Sequence, residues 1–477
     1  MTLYEQDAQA LDQLYRDKSV SPVEVMQACL ERHYQTHAHI NAICHLDEAG
    51  ALHAARESEA RMLRGARLSS LDGVPFTVKD NLFVRALPAT WGSRLYSDFV
   101  PAEDDRVVSR LRSAGACLLG KTNTPEMALS GRTDNLLFGI TRNPVDLQLT
   151  PGGSSGGAVA ATAAGVTPLA IATDAGGSTR LPAGYTGLFG LRPSTGRIAR
   201  HRGFPALAHD FQVIGLLARS IGDIDTVLRT VAGPDARDRL SLGLPDCDTP
   251  ALAARVRVVS EVEGEPVDPA VRAALLRIVL KLRTAGVAVE AGEAPYDLAL
   301  VRSVWGTLSS AGVARVVSSH TNWKNQVSPD IRRVAEAGLP ITAAAYVAAM
   351  DELAAMRSTM EARFGDADFI LTPTAAVLPW PANDPHAAQI DGRPGSPRSA
   401  SIFATWVNAC GLPAISLPLA LAPSGVPIGV QLVGRFASDA QLLLTARRLC
   451  NLCGPPNRAF LDANTTGSTP RLVEYRV

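Results

Sequence analysis

Residues 150–180, TPGGSSGGAVAATAAGVTPLAIATDAGGSTR, constrain the fold more than any other part of the chain. Glycines at 152, 153, 156 and 157 leave backbone amides unobstructed and allow conformations that side chains forbid. Residues 158–164 are almost wholly small, which predicts a helix pressed against a sheet. The N-terminus of that helix faces Ser154 and Ser155 and favours negative charge. Residues 169–172 form a short apolar run of the kind a buried parallel strand needs, and it opens directly into Thr173-Asp174-Ala175-Gly176-Gly177-Ser178. Sites in open α/β sheets form just beyond the carboxyl ends of strands, which is where this reading puts Ser178.

A second strand end supports the same layout. In LDGVPFTVKDNLF, residues 71–83, Val74, Phe76 and Val78 alternate with Pro75, Thr77 and Lys79, so Lys79 falls at the end of a strand. Helices are predicted at 4–15, from Ser21 onward and at 48–64, the second opening with a capping box of Ser21 and Glu24 and with Pro22 at its first position. Further helices are expected at 104–113, 221–231 and 438–449, and strands at 116–121, 213–217, 369–372, 414–417 and 428–433. A βα repeat begins near Val256, and 297–364 reads as mostly helical. The Pro/Gly-rich patch 380–397 reads as a surface loop. No internal repeat or long linker interrupts the pattern. The expectation is one large α/β/α layered domain over 1–477, around a mixed, mostly parallel central sheet, with a helical N-terminal segment at 1–65.

Charge and cysteine usage narrow the function. Lys plus Arg is 46 and Asp plus Glu is 46, so no surplus charge draws the chain onto nucleic acid directly or onto an anionic membrane. Only five lysines are present, at 18, 79, 121, 281 and 324, which makes each worth placing. Seven scattered cysteines argue against a disulfide framework and for a reducing compartment, and a cytoplasmic location is expected. Cys450 and Cys453 form a lone CxxC, read as structural. The first twenty residues carry Glu5, Asp7 and Asp12 and no apolar run, so no signal peptide is expected. No charged residue lies between Arg398 and Arg435, but prolines at 413, 418, 423 and 427 favour buried strands and turns over a membrane span. Four histidines lie at 33–45, and His37 and His39, two apart, do not share a helix face; no metal site is expected.

Several chemistries fit two glycine-flanked serines. Plain turns are one. A phosphate-cradling loop is another, although GxxxxGK[ST] is absent. GGSSG at 152–156 satisfies the G-x-S-x-G of an α/β-hydrolase elbow, though 148–151 make a poor strand; His201, His209, His320 and His386 keep that esterase reading open.

The segments TPGGSSGGAVAA, ATDAGGSTRLPA and PFTVKDN resemble the motifs of the amidase signature family. KTNTPEMA at 121–128, FGITRNPVD at 138–146, GLFGLRPSTGRI at 187–198 and GLPAISLPLA at 411–420 resemble further family segments. The resemblance covers most of the chain, strongest over 70–220 and weakest over 235–365. It implies the amidase signature fold, with Lys79 as base, Ser154 as a bridging serine on a cis peptide after Gly153, and Ser178 as nucleophile. The chemistry agrees: a serine hydroxyl needs a base within reach, and a lysine serves only when burial keeps it neutral. Ala175, Gly176, Gly177 and Ser178 are the expected oxyanion amides. Ser155, Asp174 and Arg180 are placed behind them, and Asp80 and Asn81 are read as turn formers. Substrate contacts are assigned to Gly153, Met127 and Thr133; the resemblance places the acyl pocket in 297–364 with loops at 127–138 and 375–400, where Trp305 and Trp380 suggest an apolar lining or are ordinary core.

The implied reaction is hydrolysis of a small carboxamide through an acyl-enzyme, with no cofactor and no metal. The alternatives are a glutaminase subunit of a tRNA-dependent amidotransferase, which works with partner chains, and a non-enzymatic binding scaffold. A homodimer is left open.

Overall fold

The computed structural model describes residues 2–244 and 255–454, with the backbone of Asn457–Phe460 and Arg471–Glu474. In chain order the strands as far as Gly434 are β1 (Ile43–Leu46), β2 (Pro75–Lys79), β3 (Cys117–Thr122), β4 (Leu169–Asp174), β5 (Phe189–Arg192), β6 (Val213–Ala218), β7 (Arg255–Val258), β8 (Ala288–Ala291), β9 (Phe369–Pro373), β10 (Gln389–Ile390), β11 (Arg393–Pro394), β12 (Ala414–Leu421) and β13 (Pro427–Gly434). Eleven of them form one sheet in the order β1-β3-β2-β4-β6-β5-β12-β13-β9-β7-β8.

The sheet is mixed, as expected, but parallel pairs are the minority. Only β2·β3, β2·β4, β7·β8 and β7·β9 are parallel, and the other six pairings are antiparallel. For β12 and β13 the reason is connection length. A parallel neighbour needs a long crossover, whereas the turn from β12 to β13, closed by Ala422 N–H to Val426 O at 2.8 Å, reaches only an antiparallel one. β6 also inserts antiparallel between β4 and β5, so the centre of the sheet loses its parallel run.

Strand alternation builds two faces. Phe369 and Leu371 of β9 join a core with Leu275, Ile278 and Leu442 from helices Pro269–Thr284 and Asp439–Cys453. Ile370 joins the opposite core with Val304, Leu308 and Met356 from helices Leu298–Val317 and Ala343–Phe364. Helices thus cover both faces, and the layered α/β/α architecture follows from period-2 burial. Among the described residues no single helix is long and apolar enough to cross a membrane; Pro329–Gly338 and Ala343–Phe364 meet that test only jointly and are bent by 98°.

Local signals hold in detail. Ser21 and Glu24 form the capping box at the start of helix Pro22–Ile40. The patch 380–397 is only partly surface: Trp380, Ala382 and Ile390 are buried, and β10 pairs with β11. Cys450 and Cys453 are free and buried in the closing helix, where burial pushes the Cys450 thiol up to about 12.

Candidate active site

β2 delivers Lys79 and β4 delivers Thr173 and Asp174 to the same rim, because the two strands pair in parallel with Val78 opposite Ile171. The helix Gly156–Ala163 packs beside them, all eight of its residues buried. Its small residues are required: a Cβ at Gly157 would lie 2.4 Å from Asn123 N. The peptide between Gly153 and Ser154 is cis. A Cβ at Gly153 would come 2.5 Å from Ser130 O, so only glycine fits the approach of these two segments.

Lys79 is fully buried, and its ammonium donates to Ser154 Oγ at 2.7 Å, Ser155 Oγ at 3.0 Å and Thr173 Oγ1 at 3.3 Å. All three partners are hydroxyls. Burial therefore dominates and pushes the lysine down to about 7, with the Asp174 charge pulling the other way. Ser155 N–H donates to Ser178 O at 3.2 Å, which ties the two serine turns together. Ser178 itself is partly exposed, and among the described residues its hydroxyl makes no hydrogen bond. The structure thus joins Lys79 to Ser154 directly and sets Ser178 beside them without a closed hydroxyl contact.

Asp174 organises the turn that follows β4. Its carboxylate accepts from Gly177 N–H at 2.8 Å, Thr179 N–H at 3.1 Å, Arg180 Nε at 3.0 Å, Arg180 Nη2 at 2.9 Å and Asn408 Nδ2 at 2.9 Å. Burial opposes ionisation, yet the Arg180 charge and hydrogen bonds, the Asn408 amide and the Arg192 charge hold Asp174 well below the usual carboxylate range. Arg180 continues to Gln431 Oε1 and Asn408 Oδ1, each at 2.5 Å.

Asn408 and Gln431 are residues that sequence reasoning missed. The available signal was a pair of polar side chains inside the charge-free run between Arg398 and Arg435.

Three expectations need correction. The Gly177 amide is not an open oxyanion donor, because Asp174 occupies it; the amides of Ala175, Gly176 and Ser178 have no protein acceptor among the described residues. Thr133 is spent on the glycine loop, its hydroxyl donating to Gly152 O at 3.0 Å and accepting from Gly156 N–H at 3.1 Å. Met127 turns into a core with Trp91 and Phe204, from a backbone with φ of 52°.

Asp80 and Asn81 do more than form a turn. Asp80 pairs with buried Lys121 at 3.2 Å, and Asn81 Nδ2 donates to Thr173 Oγ1 at 2.9 Å. Ligand atoms of Cys44, His45 and Asp80 lie within 4.8 Å of one another, but the Lys121 ammonium already supplies the positive charge there.

No strand runs into Ser154, whereas β4 runs into the turn ending at Ser178, so the elbow reading of GGSSG does not fit. Surface hollows of about 270 Å³, beside Arg85 and His201, and about 610 Å³, beside Leu30 and Tyr34, are not lined by Lys79, Ser154 or Ser178.

A family model described as Amidase matches residues 24–443. The glutamyl-tRNA(Gln) amidotransferase subunit of Chloroflexus aggregans is 34% identical over 457 residues, 89% of this chain and 91% of that protein. The solved structure of 6-aminohexanoate cyclic dimer hydrolase complexed with substrate superposes with a TM-score of 0.85 at 28% identity, covering 95% of this chain and 98% of that one. A bacterial aryl acylamidase gives 0.84 at 25% identity, covering 93% of this chain and 96% of that one.

Proposed function

The chain belongs to the amidase signature family, hydrolases of amide C–N bonds, and from that premise we propose that it cleaves a small carboxamide through an acyl-enzyme on Ser178. The observation that carries this reading is Lys79: a buried lysine bonded only to hydroxyls, held near neutrality at about 7 and 2.7 Å from Ser154.

In the proposed reaction the neutral Lys79 amine takes the Ser154 proton while Ser154 takes that of Ser178. Ser178 Oγ forms its bond to the carbonyl carbon in the same step. Negative charge gathers on the carbonyl oxygen, and the open amides of Ala175, Gly176 and Ser178 are the donors within the turn that can meet it. The C–N bond then breaks, and the leaving ammonia or amine receives the proton back through Ser154. Water repeats the sequence on the ester, releasing the acid and restoring Ser178. Gly177 contributes by holding Asp174, which fixes the shape of the turn.

A second reading has one specific support: relatives about a third identical over nine-tenths of the chain are named as an amidotransferase subunit. In that reading the same site releases ammonia from glutamine for a partner chain. The formal charge of zero disfavours tRNA binding by this chain alone. The purified chain, given aliphatic, aryl and amino-acid amides without tRNA or ATP, decides between them by ammonia release. Turnover that Ser178→Ala abolishes supports the first reading; inertness relieved only by a partner protein supports the second. Full activity in Ser178→Ala with none in Ser154→Ala refutes the nucleophile assignment.

A further inference from the structure

Trp305, in the helix Leu298–Val317, lies against the turn that precedes Ser178: a Cβ on Gly176 would sit 3.8 Å from its Cη2 and 3.6 Å from Thr405 Oγ1. The Thr405 hydroxyl bonds Gly176 O at 3.4 Å, so the segment running back from Thr405 toward Arg398 borders the same turn. At the far end of that segment the Arg398 guanidinium lies over the Trp305 ring, 5.5 Å from its centroid. An arginine on an aromatic face is oriented by the stack and keeps the edges of its fork open for a planar anion.

No acid among the described residues answers this charge. Among the described residues Arg398 makes no ion pair and no side-chain hydrogen bond. The charged group among the described residues that acts on it is another cation, Arg302, and both oxygens of Glu265 are already bonded to Arg302. Arg398 is an exposed residue whose guanidinium still borders protein: partial desolvation, then the Arg302 charge, lowers it to about 10. A cation desolvated on one side, facing a like charge and lacking a counter-ion, favours an incoming anion.

We propose that Arg398 is a specificity-determining residue that binds a carboxylate carried by the amide substrate. The preferred substrates are then amides bearing a free carboxylate a few bonds from the scissile carbonyl, such as half-amides of short dicarboxylic acids. The inference rests on the assignment of the reacting turn at 175–178 made above.

The test is a ratio measured within each enzyme. Succinamate is compared with levulinamide, a neutral analogue of like shape, to place the carboxylate on the acyl side; N-acetylglycine is compared with N-propylacetamide to place it on the amine side. The wild-type chain should favour the anionic member of at least one pair by about 10- to 100-fold in kcat/KM, the range of a hydrogen-bonded charge. Arg398→Gln should lower that ratio at least tenfold, chiefly through KM, and Arg398→Lys should recover part of it.

No preference in either pair for wild type, or an unchanged ratio in Arg398→Gln, overturns the proposal; an arginine that only braces Trp305 would slow both members alike. Succinate binding to the intact Ser178→Ala chain, by calorimetry, reads the site without turnover. A loss of at least tenfold in affinity on adding Arg398→Gln supports the proposal even if the nucleophile assignment fails, and equal affinity refutes it while leaving that assignment untouched.

Discussion

The pH dependence of turnover tests the role of Lys79 most directly. Burial lowers this lysine from 10.5 to about 7, a gap that at about 1.4 kcal/mol per pH unit places about 5 kcal/mol against the charged form. An unperturbed lysine at pH 7 is neutral in only about 0.03% of molecules; this one is neutral in about half. On a neutral amide, which does not itself titrate, kcat/KM should rise about tenfold per pH unit below pH 7 and level off above it. Ammonia release between pH 5 and 9 measures it.

A profile flat across that range, or one still rising at pH 9, would refute the assignment of Lys79 as base. Stability follows with its own sign. Between about pH 7 and 10.5 the unfolded chain binds the lysine proton and the folded chain does not, so this group makes stability rise with pH through that window. Below about pH 7 both states are protonated and its burial cost is fully present. Denaturant unfolding of wild type against Lys79→Met should therefore show the variant gaining most at pH 7 and below, and losing that advantage toward pH 10.

Ser178→Ala and Ser154→Ala should each cost at least about 100-fold in kcat while circular dichroism and Tm stay close to wild type, since neither removes a large buried side chain. Asn408→Ala removes the amide that bonds Asp174 Oδ1 and O and the oxygen that receives Arg180; it should destabilise by about 2–4 kcal/mol in urea unfolding and slow turnover with little change in KM. Lys121→Met strands the buried Asp80 carboxylate, and a loss of about 3–5 kcal/mol in the same assay is expected; a loss below 1 kcal/mol would show that Thr90 suffices to hold Asp80.

Much of the candidate site's layout was legible because its signals are contiguous. The glycine loop, the small-residue helix and the apolar run into Ser178 lie within thirty residues, and strand patterning located Lys79 at a strand end. Asn408 and Gln431 were not legible, because their partners Asp174 and Arg180 lie more than two hundred residues away and nothing local marks a polar residue as belonging to a distant turn. β1 and β5 escaped because each is only four residues long and shows no full alternation. Strand direction was misjudged for a related reason: βα alternation announces parallel crossovers, but the insertion of β6 between β4 and β5 is a property of the sheet order alone.

The two lysines at neighbouring strand ends show how the fold separates a paired buried cation from one that meets no carboxylate. Lys79 and Lys121 are both fully buried, on the paired strands β2 and β3, where Lys121 stands opposite Val78. Lys121 meets a carboxylate at 3.2 Å and is a fixed ion pair. Lys79 meets only hydroxyls, and the one carboxylate whose charge reaches it, Asp174, is already matched by two hydrogen bonds from the Arg180 side chain. An unpaired Asp174 would favour the ammonium and hold the proton on Lys79. Arg180 therefore serves the site twice: it anchors the turn that carries Ser178, and by neutralising Asp174 it lets burial set the protonation of Lys79.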